Sequence, residues 1–197
     1  FLDSMLPEVS NPERIDAKGV SVIVVSFNTC QELETTLSRI ERHHEVIVVD
    51  NASSDGSAQL VREKFPHVNL IESGSNLGFG AANNLGLRHA TQPLTLFLNS
   101  DCYPFEGAID KLASAFENPE IIVAGGALFH PNGKLQNSAA NMLNLWHVFL
   151  EQTLLEKLIG GYWVKPMQDS TTLEEVGQVM GACMMIRTGS AQFDESF

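Results

Sequence analysis

Cysteine is scarce: Cys30, Cys102 and Cys183 are the three in 197 residues, far apart and odd in number. That excludes a disulfide framework, and no zinc-type spacing runs through them, so a reducing cytosol is the expected compartment. Cations are scarce too. Lys+Arg total 12 against 24 Asp+Glu, a formal net charge of -12. No local basic cluster offsets that charge, so nucleic acid is not an expected partner. The same charge repels phosphate at long range, and a phosphate ligand would need a metal ion or backbone N–H groups beside it. No apolar run reaches about 18 residues, so no transmembrane helix is expected. Residues Phe1 to Gly19 lack a basic n-region and an apolar h-region. With Pro7 and Pro12 they read as a flexible arm rather than a signal peptide. Charged residues are only 18% and hydrophobic residues 44%. That balance argues against disorder, and the length suffices for one domain, 20–197, with its own core.

From Val20 onward the chain alternates. Short runs rich in Val, Ile and Leu occur at Val20–Val25, Val46–Val49, Val68–Ile71, Leu94–Leu98 and Ile121–Val123. Each reads as a strand buried on both faces. Helix-period stretches lie between them. Thr29 and Glu32 form a capping-box pattern ahead of Leu33, Leu37 and Ile40. Leu60, Val61 and Phe65 make a second stripe, and Phe105, Ile109, Leu112 and Phe116 a third. This rhythm predicts an α/β, Rossmann-like domain: a mostly parallel central sheet with helices on both faces. Further on, Asn132-Gly133 predicts a turn between short strands at Ala127–His130 and Lys134–Ser138. Asn141–Ile159 reads as a long apolar helix closed by Gly160-Gly161, and Gln178–Arg187 as a further buried strand.

Ligands of open parallel sheets bind at the carboxyl ends of the strands. The segments that follow the first four strands here are Ser26-Phe27-Asn28, Asp50 to Ser57, Ser73 to Gly80, and Asn99-Ser100-Asp101. Together they suggest a nucleotide site. Asp50 is either an Asx-turn or cap residue, or a carboxylate facing a base N–H or ribose hydroxyl. Phe27 is either core or an aromatic lying against a base. Gly78-Phe79-Gly80 is either a tight turn or a helix opening whose N–H groups hold phosphate. Asp101 is either a helix cap or a metal ligand.

The segments Val20–Asn28, Asp50–Ser57, Asn76–Gly86 and Leu98–Asp101, in that order and spacing, resemble the family 2 glycosyltransferases with the GT-A fold, closest to the rhamnosyltransferase-like branch. Val179–Arg187 and Phe193-Asp194-Glu195 resemble the later strand and the Gly-Phe-Asp-Glu segment of that branch. The resemblance implies a donor site for a nucleotide-diphosphate sugar built from Ser26, Phe27, Asn28, Asp50, Asn76, Gly78, Gly80, Asn83, Asn99 and Asp101. In it, Asp50 reads a pyrimidine base, Phe27 lies beside that base, and Asn76 with the Gly78–Asn83 turn adjoins ribose, diphosphate and sugar. Asp101 matches the last acid of the Asp-x-Asp metal motif and implies Mg²⁺ or Mn²⁺. Asn99 departs from that motif as a neutral oxygen where its first acid stands.

The implied reaction is inverting sugar transfer to a glycan or lipid-linked acceptor in cell-envelope polysaccharide synthesis. Its setting is cytoplasmic, at the inner face of the membrane, with peripheral membrane association. The family's general base lies in a Glu-Asp pair past the Phe-Asp-Glu segment. It is expected beyond Phe197, which leaves the domain incomplete at its C-terminus, and no catalytic base is assigned.

Two rivals stand beside this. One is a non-catalytic nucleotide-sugar-binding module. The other is a dinucleotide-dependent oxidoreductase, disfavoured because Ser26-Phe27-Asn28-Thr29-Cys30 carries no glycine where the fingerprint belongs. His43-His44 reads as a cation pair at a helix end, with no metal role expected. The Asn141–Ile159 stripe reads either as a helix covering the sheet or as a surface for an acceptor or partner, and strong lipid binding is not expected, since anionic lipid repels an acidic chain.

Overall fold

The computed structural model describes residues 19–140 and 173–196. Residues 1–18 of the arm expected over residues 1–19, and the helix expected over Asn141–Ile159, lie outside the described residues.

The elements are β1 (Val20–Ser26), α1 (Cys30–Arg39), β2 (Glu45–Asp50), α2 (Ser57–Lys64), β3 (Asn69–Glu72), α3 (Phe79–Leu87), β4 (Leu94–Asn99), α4 (Ala108–Ser114), β5 (Val123–Gly125), β6 (Leu128–Phe129), β7 (Leu135–Gln136), β8 (Ala139–Ala140), β9 (Gln178–Val179) and β10 (Cys183–Arg187). Six of these strands form one sheet in the order β3-β2-β1-β4-β10-β5. β1 pairs parallel with β2 and β4, and β2 with β3. β10 runs antiparallel between β4 and β5, which leaves β5 parallel to the rest. This is the mostly parallel sheet that the alternating pattern predicts.

Strand periodicity sorts the core into two layers. Val20, Val22 and Val24 point to one face with Val46, Val48, Leu94, Leu96, Leu98 and Met185, where Leu33, Leu37, Val61, Ile109 and Phe116 cover them. The alternate residues Ile23, Ile47, Phe97 and Ile186 point to the other face, against Leu87 of α3 and Phe193. Burial on both faces is why these strands read as unbroken apolar runs rather than alternating ones. α3 packs so close that a Cβ at Gly86 would lie 2.6 Å from Ile23 Cγ2.

The structure corrects several local expectations. β3 and β5 are the two sheet edges, with Asn69, Glu72 and Val123 exposed, so neither is buried on both faces. Thr29 forms no side-chain cap on α1. Its hydroxyl instead donates to Ser100 Oγ at 2.9 Å. Phe105 is 64% exposed and precedes α4, because Gly107, with φ 71°, interrupts the stripe. Gln178–Arg187 divides into β9 and β10, and only β10 joins the main sheet. The Asn132-Gly133 turn forms as expected, between the shorter strands β6 and β7.

Candidate functional site

The parallel register brings the strand ends into line. Ser26 pairs with Asp50, and Val25 with Asn99. The loops that leave these ends are then tied to one another by side chains.

Asp50 closes β2 and is 3% exposed. Its Oδ2 accepts the Ser53 N–H three residues on at 3.1 Å, a cap-type bond. Its Oδ1 is buried and has no hydrogen-bond partner. One oxygen of Asp50 thus shapes the loop, and the other stays bare at the strand edge. A buried carboxylate oxygen without a donor is costly, so this atom suits a ligand N–H or O–H. Phe27 is 46% exposed and not part of the core. The Ser26 side chain is fully buried, its Oγ 3.1 Å from Thr29 Oγ1, while its carbonyl accepts the Asn51 N–H at 2.7 Å. Ser26 thus supports the edge from beneath. Asn28 adopts a left-handed backbone at φ 54°, and its Oδ1 accepts the Ser54 N–H at 2.8 Å, pinning the β1–α1 loop to the β2–α2 loop. Asp55 adds a second tie by accepting the Cys30 N–H at 2.8 Å. Burial raises the Asp55 carboxyl, but bonds from Ser57 and Cys30 outweigh that and hold it below the ordinary range.

Asn76 is exposed, and its Oδ1 accepts both Asn51 Nδ2 at 2.8 Å and the Gly78 N–H at 2.9 Å. Gly78 sits at φ 79° and ψ 176°, a backbone region open essentially to glycine alone, and opens α3. The first-turn N–H groups of α3 have no intrahelical acceptor, so they suit an anion. Gly80 serves a different purpose. A Cβ there would lie 3.2 Å from Phe193 Cβ, so the residue lets the Phe193–Glu195 segment close on α3. Asn83 is 2% exposed and its amide donates to Phe79 O at 2.9 Å, within its own helix.

Asn99 ends β4, and its backbone N–H bonds Ala182 O at 3.0 Å. Asp101 is exposed, and its carboxylate makes no hydrogen bond among the described residues. An exposed carboxylate two positions from an amide oxygen fits a hard divalent cation. Mg²⁺ in particular takes one or two protein carboxylates and draws its other ligands from phosphate and water. Just behind, the Cys102 thiol is pushed above its usual range by its bond to Cys183 and by burial, which leaves it an unreactive neighbour.

Two positioning residues were not singled out from the sequence. Asn51, 3% exposed, donates to Asn76 and accepts the Leu77 N–H at 2.9 Å. Asn84 clamps the C-terminal segment, accepting Phe193 N–H at 2.9 Å and donating to Phe193 O at 2.8 Å. A buried asparagine just after a strand or inside a helix is the signal that could have found both.

A parallel sheet with a polar carboxyl edge, an orphaned aspartate oxygen and an exposed second aspartate defines an open α/β ligand-binding domain. A family model for glycosyl transferase family 2 matches residues 21–190, and the chain belongs to that family. It is 26% identical over 204 residues to a Mycobacterium tuberculosis N-acetylglucosaminyl-diphospho-decaprenol L-rhamnosyltransferase, covering 89% of this chain and 65% of that protein. It is 27% identical over 171 residues to the low-salt glycan biosynthesis hexosyltransferase Agl10 of Haloferax volcanii, covering 85% of this chain and 52% of that one. The chain thus spans between about half and two thirds of these relatives. Residues 1–349 of S. aureus TarS share the GT-A-type fold, with TM-score 0.58 and 20% identity over 90% of this chain and 51% of that one.

Proposed function

We propose that this chain binds a nucleotide-diphosphate sugar at the carboxyl edge of its sheet and serves inverting transfer of the sugar to a glycan or lipid-linked acceptor. The observation that carries the reading is the bare, buried Oδ1 of Asp50, with the exposed Phe27 directly following Ser26, the residue that pairs with Asp50 across β1 and β2. A base N–H satisfies the oxygen, and the ring supplies a flat apolar contact to the same base. The Gly78 turn and the first turn of α3 offer N–H groups to phosphate oxygens. Asp101, with the Asn99 amide nearby, would hold Mg²⁺ or Mn²⁺. Such an ion, when bound, supplies Lewis-acid neutralisation of the charge that develops on the departing diphosphate. In the transfer, the acceptor oxygen forms a bond to the anomeric carbon as the bond to the diphosphate breaks on the opposite face. A carboxylate takes the acceptor proton. We assign none of the described residues to that base.

The proposal of a lipid-linked acceptor is supported by the mycobacterial relative, whose name specifies a diphospho-decaprenol acceptor. The proposed setting is the cytoplasmic face of the membrane, within cell-envelope polysaccharide synthesis. Among the described residues no helix is long and apolar enough to cross a membrane; the contact proposed with the bilayer is peripheral.

The test is a ligand panel by thermal shift. A pyrimidine nucleoside diphosphate with Mn²⁺ is expected to raise the melting point, and NAD is not. A shift with NAD alone would overturn the reading in favour of a dinucleotide site.

A further inference from the structure

His44 immediately precedes β2, whose far end carries Asp50, so it lies at the opposite end of the sheet from the donor edge. At about 3.3 Å per residue the strand separates the two by roughly 17–20 Å. Around His44 the structure gathers four metal-ligating side chains from two places in the chain. His43 Nε2 lies 3.1 Å from both carboxylate oxygens of Asp110, in the first turn of α4. His44 Nε2 lies 3.8 Å from Asp110 Oδ1 and 3.7 Å from Glu41 Oε2. Glu41 is itself held in place, its Oε1 accepting the Gly107 N–H at 2.7 Å.

The decisive feature is what these atoms lack. The His44 side chain is 0% exposed, and neither of its ring nitrogens has a hydrogen-bond partner. Glu41 Oε2 is also buried and unpartnered. Two orphaned polar atoms therefore face each other, together with the Asp110 carboxylate, across 3.7–3.8 Å. That is too long for a direct hydrogen bond, which needs about 2.7–3.2 Å. It is too short for a water that bridges both, since two bonds of about 2.8 Å at a tetrahedral angle separate the ends by about 4.6 Å. Ligands about 2.1 Å from a tetrahedral metal lie about 3.4 Å apart. The observed separations of 3.1, 3.7 and 3.8 Å bracket that value.

We infer that His43, His44 and Asp110 form a second metal site, for a borderline divalent cation such as Zn²⁺, that clips the α1–β2 connection to the start of α4, with Glu41 beside His44. Two imidazoles with carboxylates select first-row transition ions over Mg²⁺, which prefers oxygen alone. The sequence reading of a cation pair at a helix end gives way here, because α1 already ends at Arg39 and both rings turn toward α4.

The test uses the full chain, washed with EDTA and titrated with Zn²⁺ in the absence of nucleotide. One Zn²⁺ per chain is expected by calorimetry, a rise in melting point with added Zn²⁺, and the intense visible bands of tetrahedral coordination when Co²⁺ replaces it. His43→Ala and Asp110→Asn change exposed residues and should fold, and His44→Ala removes the buried ligand. Each is expected to weaken Zn²⁺ at least ~100-fold, beyond the 10–100-fold typical of partners outside the ligand set. Asp101→Asn is expected to leave this binding intact, which separates it from the donor site. No saturable Zn²⁺ binding, or unchanged affinity in the His43 and Asp110 variants, would overturn the site.

Discussion

Asn51 and Asn76, 25 positions apart, are joined by a hydrogen bond of 2.8 Å from Asn51 Nδ2 to Asn76 Oδ1, which latches the loop after β2 to the loop after β3. The latch is double, because Asn51 Oδ1 also accepts the Leu77 N–H at 2.9 Å. It fixes the approach to Gly78 and α3 relative to Asp50, the residue next to Asn51. The two halves of the proposed donor edge are therefore tied directly to each other.

Asn51→Ala removes both bonds at a site 3% exposed. The Leu77 N–H loses its acceptor, and the expected loss of stability is about 1–3 kcal/mol. Nucleotide affinity should fall with it, because Gly78 and the first turn of α3 lose their fixed position. Urea denaturation and calorimetry on the same variant check this. Wild-type values in both would mean that the two loops are held by other contacts.

Asp50→Asn separates binding from stability. The amide oxygen can still accept from Ser53, while the amide nitrogen replaces the bare Oδ1 with a donor. Pyrimidine nucleotide binding should weaken by about 1.5–3 kcal/mol, roughly 10- to 150-fold. Stability should hold or rise, since a buried charge with one unpaired oxygen becomes a neutral amide. A folded variant with unchanged affinity would remove Asp50 from the site.

The strands were legible because a sheet covered on both faces needs unbroken Val, Ile and Leu, and Ile23, Ile47 and Phe97 fill the second face as Val22, Val48 and Leu96 fill the first. The site's position was legible too, since polar loops after parallel strands must share an edge. Long-range partners were not. Thr29 looked like a cap because Glu32 lies at the right spacing, but its hydroxyl bonds Ser100, 71 positions away. Asn83 and Asn84 are equivalent as letters. A helix turns about 100° per residue, and that rotation sends Asn83 to the Phe79 carbonyl and Asn84 to the Phe193–Glu195 segment. The apolar spacing that includes Phe105 continues across Gly107, where a left-handed backbone ends it.

Acid should destabilise the fold through Glu45. Burial raises this carboxyl, but bonds from the Ser21 hydroxyl and from the Thr91 N–H and hydroxyl outweigh it, and the folded value is below the ordinary one. A group depressed in the folded state contributes stability that is present above its unfolded pKa and lost as pH falls through its folded pKa. Asp55 is depressed in the same sense and adds to the slope. Denaturation midpoints should therefore drop below the ordinary carboxylate range, and Glu45→Gln should shallow that drop. A variant with the wild-type pH profile would show that Glu45 contributes nothing to it.

The last prediction concerns Asp101. Its carboxylate is exposed and unbonded among the described residues, so replacing it has little to break in the fold. The chain carries a formal net charge of -12, which opposes a diphosphate. Backbone N–H groups at α3 offset part of that repulsion, and a divalent cation on Asp101 offsets more. Nucleoside diphosphate binding should accordingly be weaker in EDTA than with Mn²⁺, whereas a nucleoside without phosphates should bind alike in both. Asp101→Asn should abolish the Mn²⁺ dependence and keep the wild-type melting point. The neutral Asn99 makes this a sharp case, because no second acid in the motif is present to hold the ion once Asp101 is changed. Equal diphosphate affinity with and without metal, in the wild-type chain, would leave Asp101 as a surface residue of the β4–α4 loop and place the whole burden of phosphate binding on the Gly78 turn.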